Sequence, residues 1–356
     1  MKTFRKTLSL LLTLIMCLGV VPFTASAEDI LTDGAWTYIV ESGKATIYFC
    51  DNTITGDVTI PSKLGGYTVT TIGDGALQGR EEITSVTIPD SVTTIGNEAF
   101  KSNSLTSINF GKGVTTIGDY AFAFCKNLKS VTIPNNVKTM GTQAFTNCTA
   151  LTKVSIGSGI TTISMSAFNM CTSLKDLTLG SKVDTIGSSA FNACTSLTSV
   201  TMPDSLTTVE DNAFRTCNKI VAVTFGEKIK TIKYGAFAGC ASLTDVYFKG
   251  KTSEWNAVAI SNGNNNLTDA NIHILGDPII PIIPSNPNNP STPSNPDDPS
   301  NPDDSDNNGN GTPAECTCNC HAKGFKKFIF KIALFFQKIF RKNQSCACGA
   351  LHYVIL

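Results

Sequence analysis

A phenylalanine returns along this chain at an almost constant interval, and this repeat restricts the fold more than any other feature. The interval is 22 residues once and then 23 residues five times, and an alanine precedes each phenylalanine. The seven positions are Phe100, Phe122, Phe145, Phe168, Phe191, Phe214 and Phe237, and Leu77 stands 23 residues before the first of them. A repeat of this length predicts a solenoid, because one unit buries its apolar face only when neighbouring units stack on it.

Apolar residues occupy fixed positions within each unit. A Leu-x-x-Val-x-Ile segment such as residues 128–133 follows the Ala-Phe pair, and a turn and a Val-x-x-Ile segment such as residues 137–140 come next. Alternation in the first segment predicts a strand with one inward and one outward face. The Ala-Phe segment is too short for a long helix and is expected to form a helical or a tight turn. We therefore expect a β-rich, right-handed solenoid with a period of about 23 residues and short helical turns.

The repeated pattern "IGxxAFxxCxxLxxVxIPxxVxxI" resembles the BspA-type leucine-rich repeat of bacterial and protist surface proteins. The resemblance extends over about residues 30–275, with an irregular first unit at 58–77 and an end cap at 246–274. It implies an exposed surface that binds proteins or host molecules. It provides no catalytic residues to transfer to this chain.

Six cysteines follow the phenylalanines at a distance of three residues, and Arg80 and Asn103 hold this place in the first two units. The cysteines are Cys125, Cys148, Cys171, Cys194, Cys217 and Cys240. Stacked side chains point in parallel, so we favour small buried thiols that fill a repeated pocket. Disulfides between turns and a row of metal sites remain alternatives.

Two further sets of residues are predicted to face outward. A threonine precedes the Ile, Val or Met of every Val-x-x-Ile segment, from Thr71 to Thr231. A regular row of threonines resembles an ice-binding face, although a β-branched residue on an ordinary strand surface is the favoured interpretation. The outward positions of the Leu-x-x-Val-x-Ile strands are the candidate binding surface. They are Ser130, Thr132, Lys153, Ser155, Asp176, Thr178, Ser199, Thr201, Asp245 and Tyr247.

Catalysis and nucleic-acid binding are both disfavoured by the residues present. The three histidines are His273, His321 and His352, and none shares a repeat with a nucleophile. We therefore predict that the protein is not an enzyme. Residues 1–27 are interpreted below as a signal peptide; without its Lys2, Arg5 and Lys6 the chain has 25 basic and 28 acidic residues. This balance gives no indication of a basic face for nucleic acid.

The two ends of the chain differ from the repeats. Residues 1–27 read as a signal peptide with a basic start, an apolar run and cleavage after Ala27, and residues 28–275 are assigned to the solenoid. Residues 276–314 are predicted to form a disordered linker, since proline occupies every third position from Pro278 to Pro302. Such a spacer is semi-rigid and extended.

Residues 315–356 are predicted to form a small, basic, Cys-rich helical tail. Apolar residues recur at helical spacing between Phe325 and Ile339, and lysines lie between them, which predicts a basic amphipathic helix. Such a helix could bind an anionic membrane, the cell envelope or a partner chain. Two groups of zinc-ligand residue types flank this helix, although disulfides and reduced thiols remain open. The candidate ligands are Cys316, Cys318, Cys320, His321, Cys346, Cys348 and His352. Apart from this zinc, no cofactor is expected.

The predicted function is that of an exported, cell-surface, adhesin-like protein that binds a protein or glycan ligand on its repeat surface. The proline-rich spacer would give this surface reach, and the tail would associate with the envelope. The alternative is a secreted structural or assembly protein whose tail pairs chains through metal or disulfides.

Overall fold

The fold is known from a computed structural model, which describes residues 30–278. About ten turns stack into a β-solenoid with a period of about 23 residues and very little helix. Each turn contributes one short strand, one longer strand and one tight turn that contains the Ala-Phe pair. The signal peptide and nearly all of the linker and tail lie outside the described residues, so the predictions made for them stay predictions.

The short strands form one side of the solenoid. Three longer antiparallel strands, within residues 30–50, begin this side, and parallel pairing continues it through the Val-x-x-Ile segments. The first sheet has the order β1-β2-β3-β6-β8-β10-β12, and β5 pairs with β6: β1 (Ile30–Asp33), β2 (Trp36–Glu41), β3 (Lys44–Cys50), β5 (Lys63–Leu64), β6 (Tyr67–Ile72), β8 (Thr94–Ile95), β10 (Thr116–Ile117) and β12 (Thr139–Met140). A second sheet continues with β14 (Thr162–Ile163), β16 (Thr185–Ile186), β18 (Thr208–Val209), β20 (Thr231–Ile232) and β22 (Ala259–Ile260).

The longer strands form the other side, in three parallel sheets. The first contains β4 (Gly56–Thr59), β7 (Ile83–Thr87) and β9 (Ser107–Asn109). The second contains β11 (Ser130–Ile133), β13 (Lys153–Ile156) and β15 (Asp176–Thr178). The third contains β17 (Ser199–Thr201), β19 (Ala222–Phe225), β21 (Asp245–Phe248) and β23 (Asn271–Ile274). The two helices are α1 (Thr252–Trp255) and α2 (Asn265–Thr268), and both belong to the C-terminal cap.

The Ala-Phe segments are tight turns rather than helices. In each complete turn, the residues two before and two after the phenylalanine have a positive φ, such as Tyr120 at 55° and Phe124 at 61°. Glycine takes both places in the first unit (Gly75 and Gly79) and in the last one (Gly235 and Gly239). This backbone directs three amide N–H groups of each turn at carbonyl oxygens of the next turn, at distances close to 2.8 Å.

The core is a continuous column of stacked phenylalanine rings. Neighbouring rings from Phe100 to Phe237 have centroids 5.1–5.4 Å apart and planes within 10° of parallel. All seven rings are fully buried; the preceding alanines and most of the inward residues of both strands are also buried. The stacking follows from the repeat itself, because identical residues in successive turns occupy the same position one strand spacing apart.

The amide N–H groups of the last Ala-Phe turn are satisfied by an asparagine-rich cap. Gly235 N donates to the backbone oxygen of Asn262, and Phe237 N donates to Asn264 Oδ1, both at 3.0 Å. Gly239 N donates to Asn266 Oδ1 at 3.0 Å. Buried amide groups left unpaired are costly, so the cap completes the turn where no further repeat follows.

Candidate binding surface

The first six candidate surface residues lie in two adjacent columns on β11, β13 and β15. In-register parallel pairing aligns Ser130 with Lys153 and Asp176, and the neighbouring column contains Thr132, Ser155 and Thr178. Ser155 is half-buried and the other five are exposed. Between the columns, Val131 and Val154 are buried and Leu177 is half-buried. The predicted alternation of inward and outward residues is therefore present here.

The other four candidates lie on β17 and β21, with β19 between these strands. Ser199 and Asp245 are in register with Ala222, while Thr201 and Tyr247 are in register with Thr224. Ala222 and Thr224 complete the two columns, although the sequence pattern does not single them out. Residues 220–225 read "IVAVTF". Alanine at the outward position does not produce the apolar–polar alternation that indicates an exposed side chain. The strands β15 and β17 belong to different hydrogen-bonded sheets, so the candidates form two groups.

A hydrogen bond and an aromatic stack meet at the C-terminal end of the second group. His273 Nε2 lies 2.8 Å from Asp245 Oδ1, and the His273 ring stacks on Tyr247 with centroids 4.6 Å apart. The hydrogen bond from His273 is the main reason that the pKa of Asp245 is lowered. Burial, the largest cause, raises the pKa of Tyr247. The sequence assigns His273 only to the end cap; its place on this face follows from the pairing of β23 with β21.

A shallow groove lies beside the first group, where β11, β13 and β15 end. Its volume is about 370 Å³, and its walls include Thr132, Ser155 and the turn residues that follow the three strands. Apart from Pro134 and Leu179, those turn residues are small or polar, such as Asn135 and Ser158. Ser158 N donates to Asn135 Oδ1 at 2.9 Å, which ties two neighbouring turns together along the groove.

The repeated cysteines are buried free thiols in the part of the chain that the structure describes. Each thiol lies 3.1–3.4 Å from the carbonyl oxygen of the phenylalanine one turn earlier, and donates to it. In the first two units, Asn103 Nδ2 donates to Leu77 O and the Arg80 guanidinium donates to three backbone oxygens. The side chain at this position therefore donates a hydrogen bond in addition to filling space. The sequence interpretation predicted the packing but not the hydrogen bond.

The threonine column is outward, as expected, and its members pair in register within each of the two sheets, from Thr71 to Thr139 and from Thr162 to Thr231. The cross-turn side-chain hydrogen bonds come mainly from the position one residue earlier. Thr93 Oγ1, for example, donates to Thr70 O at 3.2 Å, and Thr207 Oγ1 donates to Asp184 O at 3.1 Å. Thr93 and Thr207 therefore link adjacent turns by hydrogen bonds. The threonines of the column from Thr71 to Thr231 are half-buried or exposed.

Neither a metal-binding cluster nor a membrane-spanning helix is found within residues 30–278. No group of three or more His, Cys, Asp or Glu side chains there is arranged to hold a metal ion. No helix within the same range is long and apolar enough to cross a bilayer. The candidate zinc ligands of the tail lie outside these residues: Cys316, Cys318, Cys320, His321, Cys346, Cys348 and His352.

Stacked 23-residue turns with a buried Phe column and a polar outer face define a leucine-rich repeat solenoid. The family model described as "BspA type leucine rich repeat region", in 6 copies, matches residues 46–175 and 161–276. The chain belongs to this family. Members are generally non-enzymatic scaffolds with a repeat-based role in protein interaction.

Several solved structures are similar to this chain. A leucine-rich repeat protein from T. pallidum is 24% identical, covers 60% of this chain and 90% of its own, and has a TM-score of 0.45. A leucine-rich cell surface protein from Faecalibacterium prausnitzii is 21% identical over 67% of this chain and 99% of its own, with a TM-score of 0.31. A leucine-rich repeat protein from Bacteroides ovatus is 21% identical over 71% of this chain and 79% of its own, with a TM-score of 0.37. The chain has no match among the curated proteins.

Proposed function

We propose that this protein is an exported, cell-surface interaction protein that binds a protein or glycan partner on the outward face of its longer strands. The supporting observation is the two in-register columns of outward residues, which are mostly small and polar. The Phe column beneath them holds these strands in place. A surface of this kind is broad and preformed, so a partner binds it with little reorganisation of the repeats.

The Asp245–Tyr247–His273 cluster is the proposed anchor of the second group. Tyrosine is enriched among residues that dominate interface energies, because it contributes a large rigid area together with a polar group. Asp245 and His273 hold each other by their 2.8 Å contact. Both side chains remain partly exposed, at 29% and 42%, so a partner can reach them.

A comparison of two matched pairs of substitutions tests the binding face. Ser199→Arg with Thr201→Arg places two bulky cations on the proposed face, while Thr139→Arg with Thr162→Arg places them on exposed positions of the short-strand side. The partner would be captured from cell-surface extracts by the immobilised mature chain and identified by mass spectrometry. We expect the first pair to abolish capture and the second to preserve it. Equal effects of the two pairs would contradict the proposal.

The ends of the chain supply the attachment in this proposal. The signal peptide exports the chain, the proline-rich linker acts as a spacer, and the Cys-rich tail associates with the envelope. Fusion of residues 315–356 to an inert exported reporter tests this part: the reporter should stay on the cells. A soluble, dimeric reporter would instead favour a secreted assembly protein whose tail pairs chains through zinc or disulfides.

A further inference from the structure

The middle of the solenoid differs from the rest in its charge. Between Asp119 and Asp176 the sequence has no acidic residue and five lysines, although the whole chain has a formal net charge of zero. The lysines are Lys126, Lys129, Lys138, Lys153 and Lys175. Residues 120–175 belong to three consecutive turns, the third of which continues with Asp176, so the positive charge is concentrated in one part of the molecule.

Stacking brings four of these lysines to the side that contains β11, β13 and β15. Lys129 and Lys175 belong to one column with Thr152 between them, as the hydrogen bonds from Thr152 N to Lys129 O and from Lys175 N to Thr152 O show. At a strand spacing of about 4.8 Å, the two lysines are roughly 10 Å apart along the axis. Lys153 stands in the adjacent column of the intervening turn, and Lys126 precedes Lys129 by three residues.

These lysines have no acidic partner within the described residues. All four are exposed, and the Lys and Arg ion pairs found within residues 30–278 involve other side chains: Arg80, Lys101, Lys233 and Lys249. Asp176 is in register with Lys153, yet the two form no ion pair. Unpaired cations on one face create a positive potential that attracts polyanions.

The groove described above lies on the same three strands, toward their carboxyl ends. Thr132 and Ser155 line it, as does Ser181 in the turn after β15. None of these three hydroxyl groups has a hydrogen-bond partner among the residues that the structure describes. The same strands therefore offer lysines near their amino ends and unpaired hydroxyl groups near their carboxyl ends.

We infer that these three turns form a binding site for an acidic glycan, meaning a polysaccharide with carboxylate or sulfate groups. The lysines pair with the anionic groups, and the hydroxyl groups along the groove bond to the sugar hydroxyls. No aromatic or arginine side chain stands outward on these strands, and such residues usually anchor a protein partner, so the glycan fits better than an acidic peptide. The inference rests on the proposed function, because it assigns a ligand class to half of the same face.

Lysine footprinting tests this site without interference from the basic tail. The mature chain would be treated with an amine-acetylating reagent in the presence of a heparin-derived octasaccharide, which has sulfate and carboxylate groups, or a hyaluronan octasaccharide, which has carboxylate alone. Peptide mapping should show protection of Lys126, Lys129, Lys153 and Lys175, with Lys138, Lys228 and Lys230 unprotected. Protection by both sugars identifies carboxylate as sufficient, and protection by heparin alone identifies sulfate as the required group.

Calorimetric titration of matched variants completes the test. Lys129→Gln, Lys153→Gln and Lys175→Gln together should weaken octasaccharide binding by about tenfold and reduce its salt dependence. The same change at Lys138, Lys228 and Lys230 should alter affinity by less than about twofold. Thr132→Val with Ser155→Ala should weaken binding while leaving the salt dependence unchanged. Thermal unfolding by circular dichroism confirms that each variant is folded.

The inference would be overturned by uniform protection of all lysines or by equal losses in the two triple variants. Equally tight binding of a polyglutamate peptide of the same charge would also overturn it and would identify an acidic protein as the partner. If the glycan fails to bind while Ser199→Arg with Thr201→Arg still abolishes partner capture, the site is wrong and the proposed function stands. If Ser199→Arg with Thr201→Arg has no effect on partner capture but the lysines are protected, the glycan site is supported and the proposed function is contradicted.

Discussion

The thiol of Cys148 lies 3.3 Å from the carbonyl oxygen of Phe122, one turn earlier in the solenoid. The same contact recurs from Cys125 to Cys240, and it links the two most regular positions of the repeat. The thiols occupy a dry interior, where even a weak S–H donor satisfies an oxygen that would otherwise lack a partner from the next turn. The cysteine position therefore contributes to stacking as well as to packing.

Alkylation should distinguish these thiols from the cysteines of the tail. Burial raises the pKa of the Cys125 and Cys171 thiols to about 12, which leaves almost no thiolate near neutral pH. A short pulse of iodoacetamide on the native, reduced chain, followed by peptide mapping, should therefore leave both residues unmodified. The same pulse in denaturant should label them fully. Disulfide-linked peptides from adjacent turns in protein recovered from its host would contradict this assignment.

Stability should fall in alkaline solution because of the same thiols. The pKa of Cys171 is about 12 in the fold and 9.0 ordinarily, so between these values the folded chain retains a proton that the unfolded chain loses. The contribution is complete below pH 9 and is lost as the pH rises through 12, at about 1.4 kcal/mol per pH unit for each thiol. Urea unfolding of Cys171→Ala should show a correspondingly shallower fall than the wild-type chain. Identical slopes would exclude this linkage.

The phenylalanine column should dominate the stability of the repeats. Phe168 is fully buried between Phe145 and Phe191, whose ring centroids are 5.3 and 5.4 Å away. Phe168→Ala should reduce the free energy of unfolding by about 3–5 kcal/mol, since it leaves a cavity and removes two stacked contacts. Met165→Ala in the same turn is the control, because Met165 is 52% exposed. Similar losses from the two substitutions, measured by urea unfolding, would argue against the column as the core.

One asparagine of the cap should protect the amide of Phe237 in the last Ala-Phe turn. Asn264 is 2% exposed; its Oδ1 accepts from Phe237 N, and its Nδ2 donates to Lys233 O and Ser261 O. Asn264→Ala should cost about 1–3 kcal/mol, because it leaves a buried N–H without an acceptor. Amide hydrogen exchange at Phe237 should become faster, while Asn265→Ala, at an exposed neighbour, should have no effect. Unchanged exchange in Asn264→Ala would mean that another group satisfies this amide.

The repeat pattern alone specifies the period, the inward and outward positions and the identity of the core residues. Phe, Cys, Val and Ile recur at fixed positions within the repeat, and in a solenoid residues at the same repeat position occupy equivalent places in every turn. For this reason the pattern places Phe168 and Val131 in the core and Thr132 on the outer face. The same reasoning predicts a turn at the Ala-Phe segment, whose left-handed residues are revealed only by the backbone.

Contacts between turns depend instead on the three-dimensional course of the backbone. The hydrogen bond from Cys148 to Phe122 requires one particular carbonyl to face the next turn, and the backbone dihedrals of the turn set that direction. The end cap also departs from the 23-residue period: Asp245 and His273 are 28 residues apart along the chain, and the repeat spacing could not align them. Lys129 and Lys175 form one column only because the strands pair in register, since stacking converts a separation of two repeats into proximity in space.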